Sequence, residues 1–269
     1  MFRRREGNVR GPRIWLGPVV AIPSAGLRGP RNRVRLLALL QARNEIAYLP
    51  GFLRNVAPHV DGIVALDDGS TDGSAEFLAS RHEVLELLRV PPERPALDEV
   101  GNHRSLLDAA LRHFGDWVIC VDADERLERD FRSRAERVIR RGRLFGFSAY
   151  QLRLRELWDS TETYRVDGIW GRKRVARLFR LRADHVFDTR PLHGFKTPLQ
   201  ARKIGPYLPI ADLLIYHLRM IRPADRMARR KKYEQLDPDA RWQPHIGYAY
   251  LTDERNLRLR RVEERRRFL

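Results

Sequence analysis

The chain contains a single cysteine, Cys120, among its 269 residues. One cysteine excludes an intramolecular disulfide and argues against a cysteine-based zinc site, so we expect Cys120 to be a small buried apolar residue. Long apolar runs are missing as well, since no stretch approaches the ~20 residues of a membrane span. With 43% hydrophobic residues, the composition is that of a globular protein with a sizeable core.

Acidic residues are outnumbered by basic ones. The chain has 52 Lys+Arg against 35 Asp+Glu, which gives a formal charge of +17. Such a charge attracts nucleotide phosphates, lipid headgroups or nucleic acid, and composition alone does not choose among these partners. Residues 1–33 include Arg3–Arg5 and a short apolar run that Pro18 and Pro23 interrupt. They are predicted to be a flexible basic leader rather than a signal peptide.

Several of the scarce acids follow one apolar run. Trp117–Val121 leads directly into Asp122, Asp124 and Glu125. The run predicts a strand buried on both faces, and ligands bind at the carboxyl ends of such strands in open parallel sheets. Asp122 and Asp124 are two apart on an extended chain, so they point the same way and can share a divalent cation or a nucleotide. For these two acids alone, a solvated strand-to-loop junction is the alternative.

Two earlier predicted strands also end in polar loops. Residues 35–41 precede Ala42-Arg43-Asn44-Glu45, and residues 62–66 precede the acidic loop 67–74. With a third strand at 84–90 and a helix at 98–114, the alternation predicts right-handed βαβ units and a parallel sheet with helices on both faces. The loops that begin at residues 42, 67 and 122 are therefore expected to converge on one edge of the sheet.

The pattern changes in the second half of the chain. A surface helix is predicted at 129–141, and strands at 150–157, 175–182 and 213–217 alternate with loops rich in Gly, Pro and Trp. Two basic helices are predicted after these strands, one from 223 to 233 and one from about 253 to the end. This half is predicted to be α+β and to pack against the first.

With ARNE after the first strand, DDGSTDGS after the second and DADE after the fourth, the chain resembles family-2 glycosyltransferases of the GT-A fold. The resemblance covers residues 34–125 well and continues loosely, through YRVDG, RLFR, LHGF and YHL, to about residue 237. It implies an α/β fold with a mostly parallel nucleotide-binding sheet, divided into a nucleotide-sugar-binding half (34–145), an acceptor-side α+β half (146–220) and C-terminal basic helices (221–269). The implied activity is the transfer of a sugar, with inversion, from a nucleotide-diphosphate-sugar donor, with Mn²⁺ or Mg²⁺ as cofactor.

By similarity, six polar residues would bind the nucleotide, with Asp68 facing the base and Asp122 the ribose: Arg43, Asn44, Glu45, Asp68, Arg104 and Asp122. The alternative for Arg104 is an exposed helix arginine, and for Glu45 it is helix capping. Asp124 would bind the metal. A histidine from the second half often joins it in this family, and we favour His193 in its glycine-flanked loop over His217, which closes an apolar strand and is typical of a core histidine. Many relatives have His-Glu where this chain has His193-Gly194.

An inverting transferase needs a general base on the acceptor side. Asp188 and Glu125 are the two candidates, and each is alternatively an ordinary ion-pair partner in so Arg-rich a chain. The acceptor is expected to be a glycan or a lipid-linked molecule. We expect a cytoplasmic location, and we add the hypothesis that basic helices near 226–232 and 255–267 contact an anionic membrane.

Other classes of protein remain open at this point. The charge and the clustered acids also suit a basic nucleic-acid-binding protein or a metal-dependent nuclease, although the arginines are scattered rather than grouped on one face. A catalytically inactive protein with a GT-A-like sheet is a further alternative. We favour the transferase and expect no nucleic-acid partner.

Overall fold

The computed structural model of the chain describes residues 33–93, 98–188, 196–241 and 243–268. The predicted leader, apart from its last residue, and His193 therefore lie outside the described residues.

The described chain forms ten strands and five α-helices. The strands are β1 (Leu36–Ala42), β2 (Ile63–Asp68), β3 (Val84–Val90), β4 (Trp117–Cys120), β5 (Glu125–Leu127), β6 (Ala149–Glu156), β7 (Thr163–Arg165), β8 (Arg174–Arg180), β9 (Ile210–His217) and β10 (Leu259–Arg261). The helices are α1 (Leu49–Val56), α2 (Ser74–Ala79), α3 (Glu99–Arg112), α4 (Phe131–Arg143) and α5 (Pro223–Leu236).

Eight of the strands form one sheet in the order β3-β2-β1-β4-β8-β6-β9-β5. The first four strands of this order are parallel to one another, as the βαβ pattern predicted. Strand β8 then runs antiparallel to both of its neighbours, β4 and β6, while β9 is parallel to β6. The second half of the chain thus extends the sheet of the first half.

The three inner parallel strands, β1, β2 and β4, are mostly apolar because helices cover both of their faces. Along β1, Leu36, Ala38 and Leu40 pack with side chains of α1 and α4, whereas Leu37 and Leu39 pack with α3. Strands β2 and β4 divide their side chains in the same way, and Cys120 is buried on the α3 face as expected. Burial raises the pKa of the Cys120 thiol to about 11. These strands therefore have no solvent-facing side that would require alternating polar residues.

The C-terminal segment differs from its prediction as a helix. In place of an α-helix from about residue 253, the chain forms the short strand β10, which pairs antiparallel with β7, and a 3₁₀ turn at Glu264–Arg266. The helical pattern is overridden by tertiary contacts: Arg266 is buried and its Nε lies 2.5 Å from Glu128 Oε2. The predicted basic helix at 255–267 is therefore wrong. The helix predicted from Pro223 is confirmed as α5.

None of the helices within the described ranges is both long enough and apolar enough to cross a membrane.

Candidate functional site

The loops after β1 and β2 are joined by hydrogen bonds at one edge of the sheet. The backbone N–H of Asn44 donates to Ser70 Oγ at 2.9 Å, and Asn44 Oδ1 accepts from the N–H of Thr71 at 2.8 Å. The N–H of Glu45 donates to Ser74 Oγ at 2.9 Å. The Asn44 side chain therefore fixes the loop after β2, and its backbone adopts φ 56°, a left-handed conformation that asparagine tolerates better than most residues.

Asp124 lies beyond β4 and is buried, with 5% of its surface exposed. Its Oδ2 atom contacts two cationic groups from the segment that ends β9, His217 Nε2 at 3.2 Å and Arg219 Nε at 2.5 Å. Burial by itself would raise the pKa of Asp124, but the charges of His217 and Arg219 outweigh burial and lower the pKa well below its usual value. Asp124 is therefore ionised and doubly paired.

Arg219 connects Asp124 to the loop after β1. Its Nη2 atom lies 2.5 Å from Glu45 Oε1 and 2.6 Å from Oε2, and its guanidinium stacks over the ring of Tyr48 at 4.7 Å. The carboxylate of Glu45 is thus an ion-pair partner and does not cap a helix. Through this arginine, the loops after β1 and β4 meet at the edge to which the loop after β2 also belongs, and the predicted convergence of the three loops is observed.

His217 is held from its other side by a buried carboxylate. Nδ1 of His217 hydrogen-bonds to Glu156, which also forms an ion pair with Lys173. Burial by itself would lower the pKa of His217, but the charges of Glu156 and Asp124 outweigh burial and raise it to about 9. Arg229 Nη1 lies 3.1 Å from the Nε2 atom that faces Asp124. The histidine regarded from sequence as a core residue is therefore part of the acidic site.

Asp122 is held by a different pair of cations. Arg177 Nη2 lies 2.7 Å from its Oδ2, and Lys196 Nζ lies 3.2 Å from its Oδ1. Glu125 is 2% exposed, and its two oxygens contact Arg177 Nη2 and the backbone N–H of Asp122. Burial raises the pKa of Glu125, whereas the arginine and the lysine lower that of Asp122 against the effect of burial.

The remaining predicted residues range from buried to exposed. Asp67 and Asp68 are both buried where β2 ends, and Asp67 Oδ2 accepts a 3.0 Å hydrogen bond from the N–H of Ser70. Arg43 is exposed on the loop after β1, and Arg104 is exposed on α3. Asp188 is half-buried.

Sequence reasoning missed the groups that the second half contributes. Arg177 lies on β8, Glu156 ends β6, and Arg219 follows β9, so none of them is near the acidic loops along the chain. The one available signal was Glu156, which follows Leu152 and Leu154 on the buried face of an alternating strand, because a carboxylate there requires a buried partner. Its partner, His217, was noted in the sequence but assigned to the core.

The donor atoms at Asp124 and His217 suit a divalent cation. Two neighbouring ligands at ~2.1 Å from an octahedrally coordinated ion are ~3.0 Å apart, and Asp124 Oδ2 and His217 Nε2 are separated by 3.2 Å. A carboxylate on the other nitrogen of the histidine, as Glu156 provides, is the usual support of a metal-binding imidazole. Three protein ligands in one group do not occur among the described residues, so water or substrate oxygens would complete the coordination.

Part of the chain matches a known protein family. Residues 39–150 match the family model described as Glycosyl transferase family 2, which confirms the predicted resemblance for that part of the chain. Two mycobacterial relatives, the uncharacterized proteins Rv3786c of Mycobacterium tuberculosis and Mb3815c of Mycobacterium bovis, are each 28% identical over 223 residues, or 81% of this chain and 54% of theirs. The chain thus spans about half the length of these curated relatives.

Among solved structures, S. aureus TarS aligns with a TM-score of 0.51 at 14% identity, over 80% of this chain and 45% of that chain. The mannosyltransferase PcManGT from Pyrobaculum calidifontis, solved with GDP-Man and Mn²⁺, aligns at 0.44 and 16% identity, over 88% of this chain and 75% of that one. The likeness to TarS shows the fold: a mixed α/β structure of the GT-A type, with a large central sheet flanked by helices. The fold is thus shown by the TarS likeness, and the similarity to Glycosyl transferase family 2 extends over residues 39–150.

Proposed function

We propose that the chain is a metal-dependent, inverting glycosyltransferase that uses a nucleotide-diphosphate-sugar donor. The observation that carries this proposal is the pairing of Asp124 with His217 at the edge where the loops after β1, β2 and β4 meet. It supplies the two chemical requirements of the reaction at one place, a binding edge for the nucleotide and ligands for a cation that neutralises the leaving diphosphate.

Asp124 and His217 hold the cation in this proposal, and Glu156 orients the histidine. When bound, Mn²⁺ or Mg²⁺ supplies Lewis-acid stabilisation of the negative charge that develops on the departing nucleotide diphosphate. Glu156 is fully buried, so the Nδ1 proton has a fixed acceptor and Nε2 is the nitrogen left for the cation. His193, favoured from sequence, is outside the described residues and stays an untested prediction.

The donor nucleotide binds beside the cation, against the ends of β1, β2 and β4. Asp68 and Asp122 accept hydrogen bonds from the base and the ribose, while Arg43 closes the pocket from its exposed loop. The side-chain oxygen of Asn44 is already used within the loops, so its contribution is to shape the pocket. Lys196, with a side chain 35% exposed beside Asp122, is placed to attract the diphosphate, and Arg104 on α3 adds a second positive charge.

Of the two candidate bases we favour Asp188. Glu125 has both oxygens engaged in hydrogen bonds and is 2% exposed, so an acceptor hydroxyl cannot reach it. It serves instead to position Asp122 and Arg177. Asp188 is half-buried in the acceptor-side half and can be approached by an acceptor.

The acceptor proposed from the sequence is a glycan or a lipid-linked molecule. A membrane contact would fall to α5 alone, since residues 255–267 do not form a second basic helix. Arg226 and Arg229 of α5 face the protein, where they contact Asp159 and His217, so Lys231 and Lys232 are the basic residues that remain exposed. Flotation with anionic and with neutral liposomes tests this contact, and equal binding to both would discard it.

A thermal-shift experiment tests the proposed function. The full chain is heated with Mn²⁺ alone, with UDP or GDP alone, and with each pair together. We expect one nucleotide with Mn²⁺ to raise the Tm and Asp124→Asn to abolish the rise. The matched control is Asp239→Asn, which removes an exposed carboxylate that pairs with Arg241. The same rise in Asp124→Asn, or no rise with either nucleotide, would contradict the proposal; hydrolysis of the corresponding nucleotide sugar then tests turnover.

A further inference from the structure

Arg219 contacts the same oxygen of Asp124 that the proposed cation would use. Its Nε lies 2.5 Å from Asp124 Oδ2, the same oxygen that faces His217 at 3.2 Å. Arg229 Nη1 lies 3.1 Å from His217 Nε2. The oxygen and the nitrogen that a divalent cation would use are therefore both in contact with guanidinium groups. A dication and a guanidinium cannot share one carboxylate oxygen without strong repulsion, so a cation that binds here must displace Arg219.

Arg219 is placed so that it can move. It lies in the turn between β9 and α5, and 29% of its side chain is exposed, whereas only 7% of the Asp124 side chain is exposed. Its other contacts are with Glu45 Oε1 and Oε2 and with the face of Tyr48, and all of these belong to the loop after β1 and the turn into α1. A guanidinium released from Asp124 remains beside the loop that borders the proposed diphosphate position.

We propose that Arg219 is a resident counter-cation that keeps the cation position closed until a nucleotide diphosphate arrives. The inference rests on the proposed function, in which Asp124 and His217 hold the metal. The diphosphate offers acceptor oxygens to the guanidinium, with the bidentate geometry that arginine forms with phosphate. As Arg219 transfers from Asp124 to the phosphates, Asp124 becomes available to the metal. Metal and nucleotide consequently bind together, and each raises the affinity of the chain for the other by the same factor.

The experiment is a titration of the full chain with Mn²⁺, followed by the EPR signal of free Mn²⁺, without nucleotide and with saturating UDP or GDP. For the unmodified chain we expect the Kd for Mn²⁺ alone to be at least ~10-fold weaker than the Kd with the nucleotide. Arg219→Gln should tighten the binding of Mn²⁺ alone by ~10-fold and shrink the effect of the nucleotide to less than ~3-fold. In the same variant, the nucleotide should bind at least ~10-fold more weakly at saturating Mn²⁺.

Two further variants separate a counter-cation from a structural residue. Arg219→Lys keeps the positive charge but loses the bidentate hydrogen bonding of the guanidinium group. We therefore expect Mn²⁺ alone to bind about as weakly as in the unmodified chain. Arg222→Gln removes an equal charge three residues away, where Arg222 pairs with Asp225, and should leave both affinities unchanged. Thermal unfolding of each variant shows whether it is folded. A merely structural role for Arg219 would lower stability without tightening Mn²⁺ binding.

The outcomes distinguish this inference from the function on which it rests. If Asp124→Asn abolishes Mn²⁺ binding but Arg219→Gln leaves the affinity for Mn²⁺ alone unchanged or weaker, the proposed metal site stands and the role of Arg219 is wrong. If Arg222→Gln tightens Mn²⁺ binding as much as Arg219→Gln does, the effect is one of overall charge and the inference also fails. If the unmodified chain binds no Mn²⁺ with any nucleotide, the proposed function itself fails.

Discussion

Two networks of arginine and carboxylate lie at the two ends of the strand pair β5 and β9, in which Glu125 pairs with His217 and Leu127 with Ile215. At one end, Arg219 joins Asp124 to Glu45. At the other, Arg266 bonds to Glu128 and to Asp212. The chemistry is the same, but 29% of the Arg219 side chain is exposed against 9% of the Arg266 side chain.

The difference in exposure between Arg219 and Arg266 indicates that their buried carboxylate partners have different roles. Glu128 is fully enclosed, and its Oε1 also accepts a hydrogen bond from the backbone of Leu214, so Arg266 fastens the C-terminal segment to the sheet. Asp124 is almost as deeply buried, but its arginine partner reaches solvent. We call the network around the fully enclosed Glu128 closed and the network around Asp124 open. The closed network stabilises the fold, and the open network is the one that we propose to bind a ligand.

The largest effect is expected from Asp124→Asn. If the open network is catalytic, this variant should lower the rate of nucleotide-sugar hydrolysis or transfer by about 10²–10³-fold, because the cation and the leaving diphosphate lose their anchor. Because Asp124 is buried and paired with His217 and Arg219, the variant should also lower the free energy of unfolding, so rates are compared per folded molecule. Rates are measured under saturating Mn²⁺, with Asp239→Asn as the control. A rate within threefold of the unmodified chain would remove the distinction between the networks.

Glu128→Gln tests the closed network. We expect the free energy of unfolding to fall by about 3 kcal/mol, because Arg266 keeps its charge in a buried position without a full counter-charge. The rate per folded molecule should be unchanged. Urea unfolding and an activity assay together provide the measurement, and Glu264→Gln, which alters an exposed carboxylate of the same segment, is the control. A loss of activity without a loss of stability would mean that the network around Glu128 serves the reaction rather than the stability of the fold.

Glu156→Gln tests whether a fully enclosed carboxylate can also serve the open site. It should weaken Mn²⁺ binding in the presence of nucleotide by about 10–100-fold, because the amide no longer fixes the orientation of His217 as the carboxylate does. The affinity is measured by the EPR titration described above. Glu234→Gln, on the exposed face of α5, should leave the affinity unchanged. Unaltered Mn²⁺ binding in Glu156→Gln would restrict this carboxylate to a structural role.

The smallest effect is expected from a polar side chain that belongs to neither network. Burial, assisted by the charge of Lys196, lowers the pKa of His103 to about 4. The unfolded chain takes up the proton near pH 6.5 and the folded chain does not, so stability is lost as the pH falls from 6.5 towards 4. His103→Gln should remove about 1–2 kcal/mol of the difference in unfolding free energy between pH 7 and pH 5. His82→Gln, at an exposed histidine, should leave that difference unchanged.

The parallel half of the fold was predictable because its determinants are local. A run such as Trp117–Val121 is apolar at every position, and a continuous apolar run of this length is typical of a strand covered on both faces. The three polar loops follow such runs directly, so their meeting at one edge follows from the topology of βαβ units. Asp124 could therefore be placed correctly at the edge of the sheet from sequence alone.

The cationic part of the site was not predictable because it depends on the order of strands in the second half. In the sheet these strands lie in the order β8-β6-β9, which differs from their order along the chain. Nothing in the local sequence specifies that β8 inserts between β4 and β6. That order is what brings Arg177 and His217 to the acids. The prediction of a helix in the C-terminal segment failed for a related reason, since the conformation of this segment depends on a contact with Glu128, more than a hundred residues away in sequence.

Strand β8 is hydrogen-bonded on one side to β4 and on the other to β6, so the sheet runs without a break from the parallel strands of the first half into the strands of the second half. Swinging the two halves apart would require breaking backbone hydrogen bonds in the middle of the sheet. If the chain binds a donor as we propose, loops and side chains at the edge of the sheet must enclose it while the sheet stays rigid. A side-chain rearrangement such as the exchange of partners that we propose for Arg219 is compatible with a rigid sheet.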